Sequence, residues 1–277
     1  MKLLRKIGFI IATILFLLFT VGPIIWEFIM SIQPDGALFI PTSKLLPEDI
    51  TWANYSFLFS GSRRSAAFFT GMKNSATAVL VTLTIGMPVS LITAYVLSKM
   101  KFPGRAFFKN ALLVTMVIPV MATIIPLYRM FSVGHMLNNM FWLCVVYVSS
   151  YLPMATWMIS NYFSTIPAEI EDAARIDGCD GFAIFIKIIL PLSVPVIISV
   201  ALIMFLNTWG QFQIPLILAS STDTKPMAIV ISEFVTRDTT AYGNIAAAGI
   251  IAIIPPAVTA VIFRKYLMSG MIKGSGK

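Results

Sequence analysis

Long apolar stretches alternate with short polar ones along the whole chain. Six of the apolar stretches are long enough to cross the roughly 30 Å apolar core of a bilayer as helices. The predicted spans cover residues 7–30, 74–98, 111–128, 141–163, 188–206 and 245–266. This pattern predicts an all-α membrane protein with six transmembrane helices, organised as a single transmembrane domain over residues 1–277.

The first apolar stretch follows Lys2, Arg5 and Lys6, as the apolar core of a signal peptide also would. Apolar residues continue past Pro23 and no small-residue cleavage pattern follows, so we interpret the stretch as an uncleaved span. Glu27 near its outer end has two interpretations, since ionisable groups are rare inside membranes. It is either a functional carboxylate or a group about one turn from the surface that reaches water.

Composition and charge support the membrane assignment. The chain is 58% hydrophobic, whereas soluble proteins average about 45–50%. Its net charge of +8 comes from basic residues in short loops beside apolar runs, which is no nucleic-acid-binding pattern. With the N-terminus inside, 13 of the 20 Lys and Arg residues lie inside, so the positive-inside rule predicts cytoplasmic termini.

Residues for metal binding or catalysis are sparse. His135 is the single histidine, and Cys144 and Cys179 are expected at different depths, without a disulfide. The final GSGK is no phosphate-binding loop, because no Ser or Thr follows Lys277. We therefore expect this chain to bind no metal or cofactor and no ATP.

A charged stretch, IPAEIEDAARIDGCDGF, stands between the fourth and fifth spans. Pro167 suits the first turn of a helix, and Gly178 suits the left-handed turn that ends one. Asp180 is then a predicted N-cap for the next helix. Helical spacing predicts one flat face with two alanines, formed by Ile170, Ala173, Ala174 and Asp177.

Two interpretations of this short helix stand side by side. A helix of about eleven residues is marginal alone in water, so its flat face is expected to pack in a partner's groove. The alternative is an ordinary solvated loop helix. A metal or acid–base site is disfavoured, because no histidine is near and the acidic spacing matches no oxygen cage for calcium.

The stretch resembles the EAA loop of binding-protein-dependent ABC importer permeases, whose pattern is E-A-A-x-x-D-G-A, then apolar residues, then L-P. Here the residues are Asp172-Ala173-Ala174, Asp177-Gly178-Cys179 and Leu190-Pro191, with aspartate and cysteine in place of glutamate and alanine. KFPGR and RKYLMSGMIKG resemble the MalG-like carbohydrate branch. Trp209-Gly210-Gln211-Phe212 departs from the Trp-Asn-Asp/Glu-Phe element of that branch.

This resemblance implies the type I ABC importer permease fold in a bacterial or archaeal cytoplasmic membrane. Residues 164–187 are then a cytoplasmic coupling loop that docks on a separate ATPase, and ATP with Mg²⁺ is bound there rather than by this chain. Other implied partners are a second homologous permease, giving a heterodimer, a pair of ATPase subunits or domains, an extracytoplasmic solute-binding protein and a sugar. The implied coupling residues are Glu169, Glu171, Asp172, Ala173, Ala174, Asp177 and Gly178.

Polar and aromatic residues near membrane depth are candidates for contact with a sugar, or alternatively for ordinary bonding between helices. They are Tyr151, Trp157, Asn161, Asn207 and Trp209. The polar segment 220–244 is expected to contact the solute-binding protein outside.

Two other functions compete with that of an importer subunit. An ion-coupled transporter or channel needs carboxylates near the middle of the membrane, and only Glu27 is close to membrane depth. A membrane enzyme needs paired catalytic groups, and the predicted spans contain none.

Overall fold

The computed structural model describes residues 2–34, 49–234 and 241–272. Every regular element in these ranges is helical. In chain order the helices are α1 (Lys2–Ser31), α2 (Ala53–Leu58), α3 (Arg63–Val81), α4 (Met87–Lys99), α5 (Arg105–Val117), α6 (Val120–Val133), α7 (Met140–Ser164), α8 (Ala168–Ile176), α9 (Gly181–Ile184), α10 (Leu190–Leu192), α11 (Val194–Trp209), α12 (Gln213–Leu218), α13 (Met227–Ser232) and α14 (Tyr242–Ile272).

Five helical segments of the described chain are long and apolar enough to cross a membrane. They are Arg5–Ser31, Arg63–Lys99, Met140–Ser164, Val194–Leu218 and Tyr242–Tyr266. The number rises to six when the bent pair α5–α6 counts as one span. The prediction of an all-α membrane protein is confirmed.

The third span, predicted over residues 111–128, contains a sharp bend. Its two halves, α5 and α6, meet at an angle of 93°. Pro119 lies at the junction and disfavours helical geometry in the residue before it. Ile118 accordingly has an extended conformation, with φ −67° and ψ 118°. The predicted span thus corresponds to a bent pair of helices.

The fifth span is also displaced from its predicted range, 188–206. A π-helical turn over Phe185–Ile189 leads into α10, and the chain leaves helical geometry at Ser193. Pro191 and Pro195 lie in the first turns of α10 and α11, where a missing N–H is tolerated. The long helix therefore starts at Val194. A second π-helical turn, Thr82–Gly86, joins α3 to α4 without a break.

The chain divides into two compact units. The first comprises Met1–Thr70 and Ile229–Ile254. In this unit the side chain of Asn54 closes the end of α1, because its amide nitrogen donates to the carbonyl oxygens of Ser31 (3.0 Å) and Gln33 (2.8 Å). Buried alanines of α14, residues 246–248, allow close packing within the same unit.

Gly243→Ala is expected to displace Asn54. A Cβ at position 243 would lie 2.8 Å from Asn54 Cγ, which is closer than packed atoms allow. The two amide hydrogen bonds to the end of α1 would then be lost, at a cost of about 1–3 kcal/mol. Thermal unfolding in detergent should show a lower Tm for Gly243→Ala and no decrease for Gly22→Ala, where nothing lies within 4 Å. Equal Tm values for Gly243→Ala and the parent would contradict this assignment.

The second unit, Gly71–Ala228 with Pro255–Lys277, contains two hydrophobic cores. One core combines Ala94 of α4, Ile159 and Phe163 of α7, Ala174 of α8 and Val200 of α11. Helix α8 thus shares a hydrophobic core with three of the membrane spans. The other core contains residues of α6, α7 and α12.

Candidate functional site

Helix α8 is the centre of the charged stretch singled out by the sequence. It runs from Ala168 to Ile176, with Pro167 in extended geometry at its N-cap. Gly178 ends it with φ +85° and donates from its N–H to the Arg175 carbonyl oxygen (3.0 Å). Asp180 Oδ1 then accepts from Ala183 N–H (2.7 Å) and caps α9. The predicted helix, its terminating glycine and the following cap are confirmed.

The exposed face of α8 differs from the predicted one. Ala174 is buried in the core beside Ile166 and Ile184, so the flat face of Ile170, Ala173, Ala174 and Asp177 is not presented as a unit. The solvent-facing ridge lies one residue earlier in register. Its members are Glu169, Asp172, Ala173 and Ile176, all of which are exposed.

Glu171 does not lie on the exposed ridge. Its Oε1 is 2.6 Å from Lys99 Nζ, at the end of α4, and the side chains are 6% and 10% exposed respectively. Lys99 Nζ also donates to the carbonyl oxygen of Ile166 (2.7 Å). Glu171 is therefore an internal anchor for α8 rather than a residue that a partner can touch. Sequence reasoning missed Lys99, because a lysine at the end of a span is already expected from the positive-inside rule.

Large apolar side chains are exposed around α8, outside the membrane spans. Ile176 is 87% exposed, and Phe182, at the start of α9, is 73% exposed. Asp172 and Arg175 form an exposed ion pair at 3.3 Å, which adds little stability. An exposed apolar surface flanked by carboxylates is typical of a protein-binding site. Asp177 and Gly178 are exposed beside it.

Gly178→Val is expected to strain the end of α8. Nothing lies within 4 Å of the added Cβ, so the cost arises from the positive φ alone and amounts to about 1–2 kcal/mol. The exposed ridge should then be mispositioned, and the separate ATPase that the resemblance implies should be retained less well during copurification. Gly181→Ala is the matched control, because that glycine has open space and no positive φ. Full ATPase retention and unchanged transport by Gly178→Val would refute the prediction.

Among the candidate pathway residues, the structure brings Tyr151 and Asn207 together. The Tyr151 hydroxyl donates to the Asn207 carbonyl oxygen (2.9 Å) and accepts from Gln211 Nε2 (2.8 Å). These contacts join α7 to the end of α11. Gln211 was not among the predicted site residues. It stands at the Asp/Glu position of the Trp-Asn-Asp/Glu-Phe element of the MalG-like branch.

The remaining pathway candidates lie apart from Tyr151. Trp157 and Asn161 are exposed on α7, about 9 and 15 Å along the helix axis from it at 1.5 Å per residue. Trp209 is only 8% exposed and stacks against Phe205, with ring centroids 6.0 Å apart. The Trp209 ring therefore offers no free face for a sugar in this arrangement.

Glu27 lies against a glycine of α14 in the first unit. A Cβ on Gly249 would contact the Glu27 carboxyl group, with the Cδ atom 3.1 Å away. The carboxylate thus packs closely on α14 instead of pointing away from the protein. No group of three or more potential metal ligands occurs among the residues that the structure describes.

The segment expected to contact a binding protein is partly ordered by bonds within the second unit. Asn138 Oδ1 accepts from the N–H groups of Ser220 (2.6 Å) and Ser221 (2.9 Å). Asn74 Nδ2 donates to the carbonyl oxygens of Asp223 (2.9 Å) and Lys225 (3.0 Å). Helix α13 follows, and residues 235–240 lie outside the described ranges. Contact with a binding protein stays a prediction.

Comparisons with known proteins agree with this architecture. The chain is 30% identical to the trehalose/maltose transport system permease protein MalG of Thermococcus litoralis, over 100% of this chain and 98% of the relative. It is 28% identical to the trehalose transport system permease protein SugB of Mycobacterium tuberculosis, over 92% of both chains. A crystal structure of a bacterial ABC transporter involved in alginate import superposes with a TM-score of 0.80, at 23% identity over 95% and 96% of the two chains.

A family model also matches residues 86–273, which include α8, the Lys99–Glu171 pair and the spans around them. The matched range is well over half of the chain. The family is described as the inner membrane component of binding-protein-dependent transport systems. The chain belongs to this family of ABC importer permeases.

Proposed function

We propose that this chain forms half of the membrane pathway of an ATP-driven importer for a sugar or oligosaccharide, coupled to a separate ATPase through α8. The observation that carries the coupling is the exposed ridge of Glu169, Asp172, Ala173 and Ile176, with Phe182 beside it. Exposed isoleucine and phenylalanine side chains outside the spans favour a protein partner over water. The positive-inside pattern favours a cytoplasmic position for this ridge and for both termini.

The sugar assignment rests on the relatives and on the pathway chemistry. The two relatives are named for trehalose and for trehalose/maltose, which are carbohydrates. The cluster of Tyr151 and Gln211, joined to the Asn207 carbonyl oxygen, combines an aromatic ring with an amide side chain, groups that suit hydroxyl-rich ligands. We propose that this cluster contributes to the sugar pathway.

Three kinds of partner complete the proposed transporter. A second, homologous permease supplies the other half of the pathway, and a pair of ATPase subunits or domains binds ATP and Mg²⁺. A solute-binding protein delivers the sugar on the extracytoplasmic side, where segment 220–244 contacts it. This chain itself then needs no cofactor and catalyses no reaction.

Purification of the intact complex followed by uptake measurements in vesicles tests this function. We expect an ATPase and a second permease to copurify with the chain. Sugar uptake should require enclosed ATP and the binding protein, and should not respond to an imposed ion gradient. Uptake driven by a gradient without ATP would instead support the competing ion-coupled transporter, for which Glu27 is the available carboxylate.

A further inference from the structure

The end of the second membrane span holds the beginning of α8. Lys99 is the last residue of α4, and its Nζ contacts Glu171 Oε1 (2.6 Å) and the Ile166 carbonyl oxygen (2.7 Å). Both charged side chains are at least nine-tenths buried. A single ammonium group therefore fixes both the carbonyl before α8 and the first turn of α8.

The same span also holds the chain beyond α8. Tyr95 lies one turn before Lys99, and its hydroxyl donates to the Gly181 carbonyl oxygen (3.3 Å). The Tyr95 ring packs against Phe185, with centroids 4.9 Å apart. Lys99 and Tyr95, which are four residues apart and share a helix face, thus hold α8 from both of its ends.

The last turn of α4 is itself stabilised. Arg105 Nε donates to the Leu97 carbonyl oxygen (2.8 Å), and its Nη2 donates to the Ser98 carbonyl oxygen (2.7 Å). These bonds satisfy carbonyl groups that the end of a helix leaves without a partner. A displacement of α8 therefore acts on an ordered helix end and not on a frayed one.

We propose that Lys99 is a positioning residue that makes α8 and the second span, Arg63–Lys99, move as one body. Separating the pair would leave two unpaired buried charges, which is far more costly than moving both helices together. The proposal rests on the proposed function, in which a docked ATPase moves α8. It adds that this motion enters the membrane through the second span. Lys99 acts only through Glu171 and Ile166.

The test compares Lys99→Met with Lys101→Met in the reconstituted transporter. Lys101 is an exposed lysine two residues further on, so the same change there controls for lost positive charge. Lys99→Met changes no residue of the exposed ridge, and Tyr95 still holds the chain beyond α8, so the ATPase should be retained and should hydrolyse ATP. Sugar molecules imported per ATP should fall about tenfold, which corresponds to a loss of about 1.4 kcal/mol of coupling free energy. Lys101→Met should leave this ratio unchanged.

Rescue variants separate positioning from simple anchoring of the fold. Lys99→Arg should restore the ratio, because a guanidinium can donate to both the Glu171 carboxylate and the Ile166 carbonyl oxygen, whereas K99E should not. An unchanged ratio in Lys99→Met overturns the proposal. A parallel fall of ATP hydrolysis and sugar transport at a constant ratio also overturns the proposal, because Lys99 would then only anchor the fold. A parent complex that retains no ATPase overturns the proposed function instead.

Discussion

Sugar uptake is expected to be lost when Ala173 is replaced with glutamate, while the chain still inserts normally. Ala173 lies in the middle of the exposed ridge, with Asp172 beside it and Ile176 one turn further on. A carboxylate there would be buried without a partner once an ATPase docks, at a cost of about 3–5 kcal/mol. That cost corresponds to about a hundredfold or greater loss of affinity. ATPase retention during purification and ATP-dependent uptake in vesicles measure the effect.

Ala168→Glu is the matched control for this experiment. Ala168 is an exposed alanine of the same helix, about 140° around the axis from Ala173 at 3.6 residues per turn. A glutamate in the first turn of a helix is favourable because it faces the positive end of the dipole. Normal uptake with Ala168→Glu and lost uptake with Ala173→Glu would locate the docking ridge. Normal uptake with both variants would rule it out.

The adjacent substitution, Ala174→Glu, is expected to fail at an earlier stage. Ala174 is 6% exposed and packs in the core with Phe163 and Ile184. An unpaired carboxylate in that core costs about 3–5 kcal/mol, a large part of the roughly 5–15 kcal/mol by which proteins are stable. The amount of monodisperse protein recovered from membranes should drop sharply.

Ala174→Ser is the control for this failure, because a small hydroxyl can bond to the carbonyl oxygen one turn before it in the helix. It should be recovered in near-normal amounts. The two glutamate variants thus lose activity for different reasons, the first with the folded permease present and the second without it. Equal recovery of Ala174→Glu and Ala173→Glu would mean that both alanines face outward, contrary to the structure.

Ala173 is exposed and its neighbour Ala174 is buried, and this contrast shows how far the sequence could predict α8. Its start, its terminating glycine and the following N-cap depend on local backbone chemistry, and all three were predictable. The ridge was placed one residue out of register, because helical spacing groups residues on a face without showing which face is covered. Glu171 counts as polar in any such pattern, and its burial depends on Lys99 from a distant part of the chain.

The membrane spans show the same distinction between local and distant causes. Apolar length alone located the long helices, and the resemblance supplied the family. The sharp bend after Val117 could have been anticipated from Pro119, since the residue before a proline avoids helical geometry. The π-helical turns at residues 82–86 and 185–189 could not have been predicted, because no residue type in them requires π-helical rather than α-helical geometry.

The bend in the third span has a consequence for the surroundings of that segment. Helices α5 and α6 have 13 and 14 residues and are about 20 Å long each at 1.5 Å per residue, too short to cross the membrane alone. At the junction, the last carbonyls of α5 and the first amides of α6 have no helical partners. Such groups are unstable against hydrocarbon and need water or protein. Residues 113–123 are all exposed on this chain. Within the hydrocarbon region of a membrane, lipid cannot be the neighbour of this elbow, which there has to face a second polypeptide or a hydrated space.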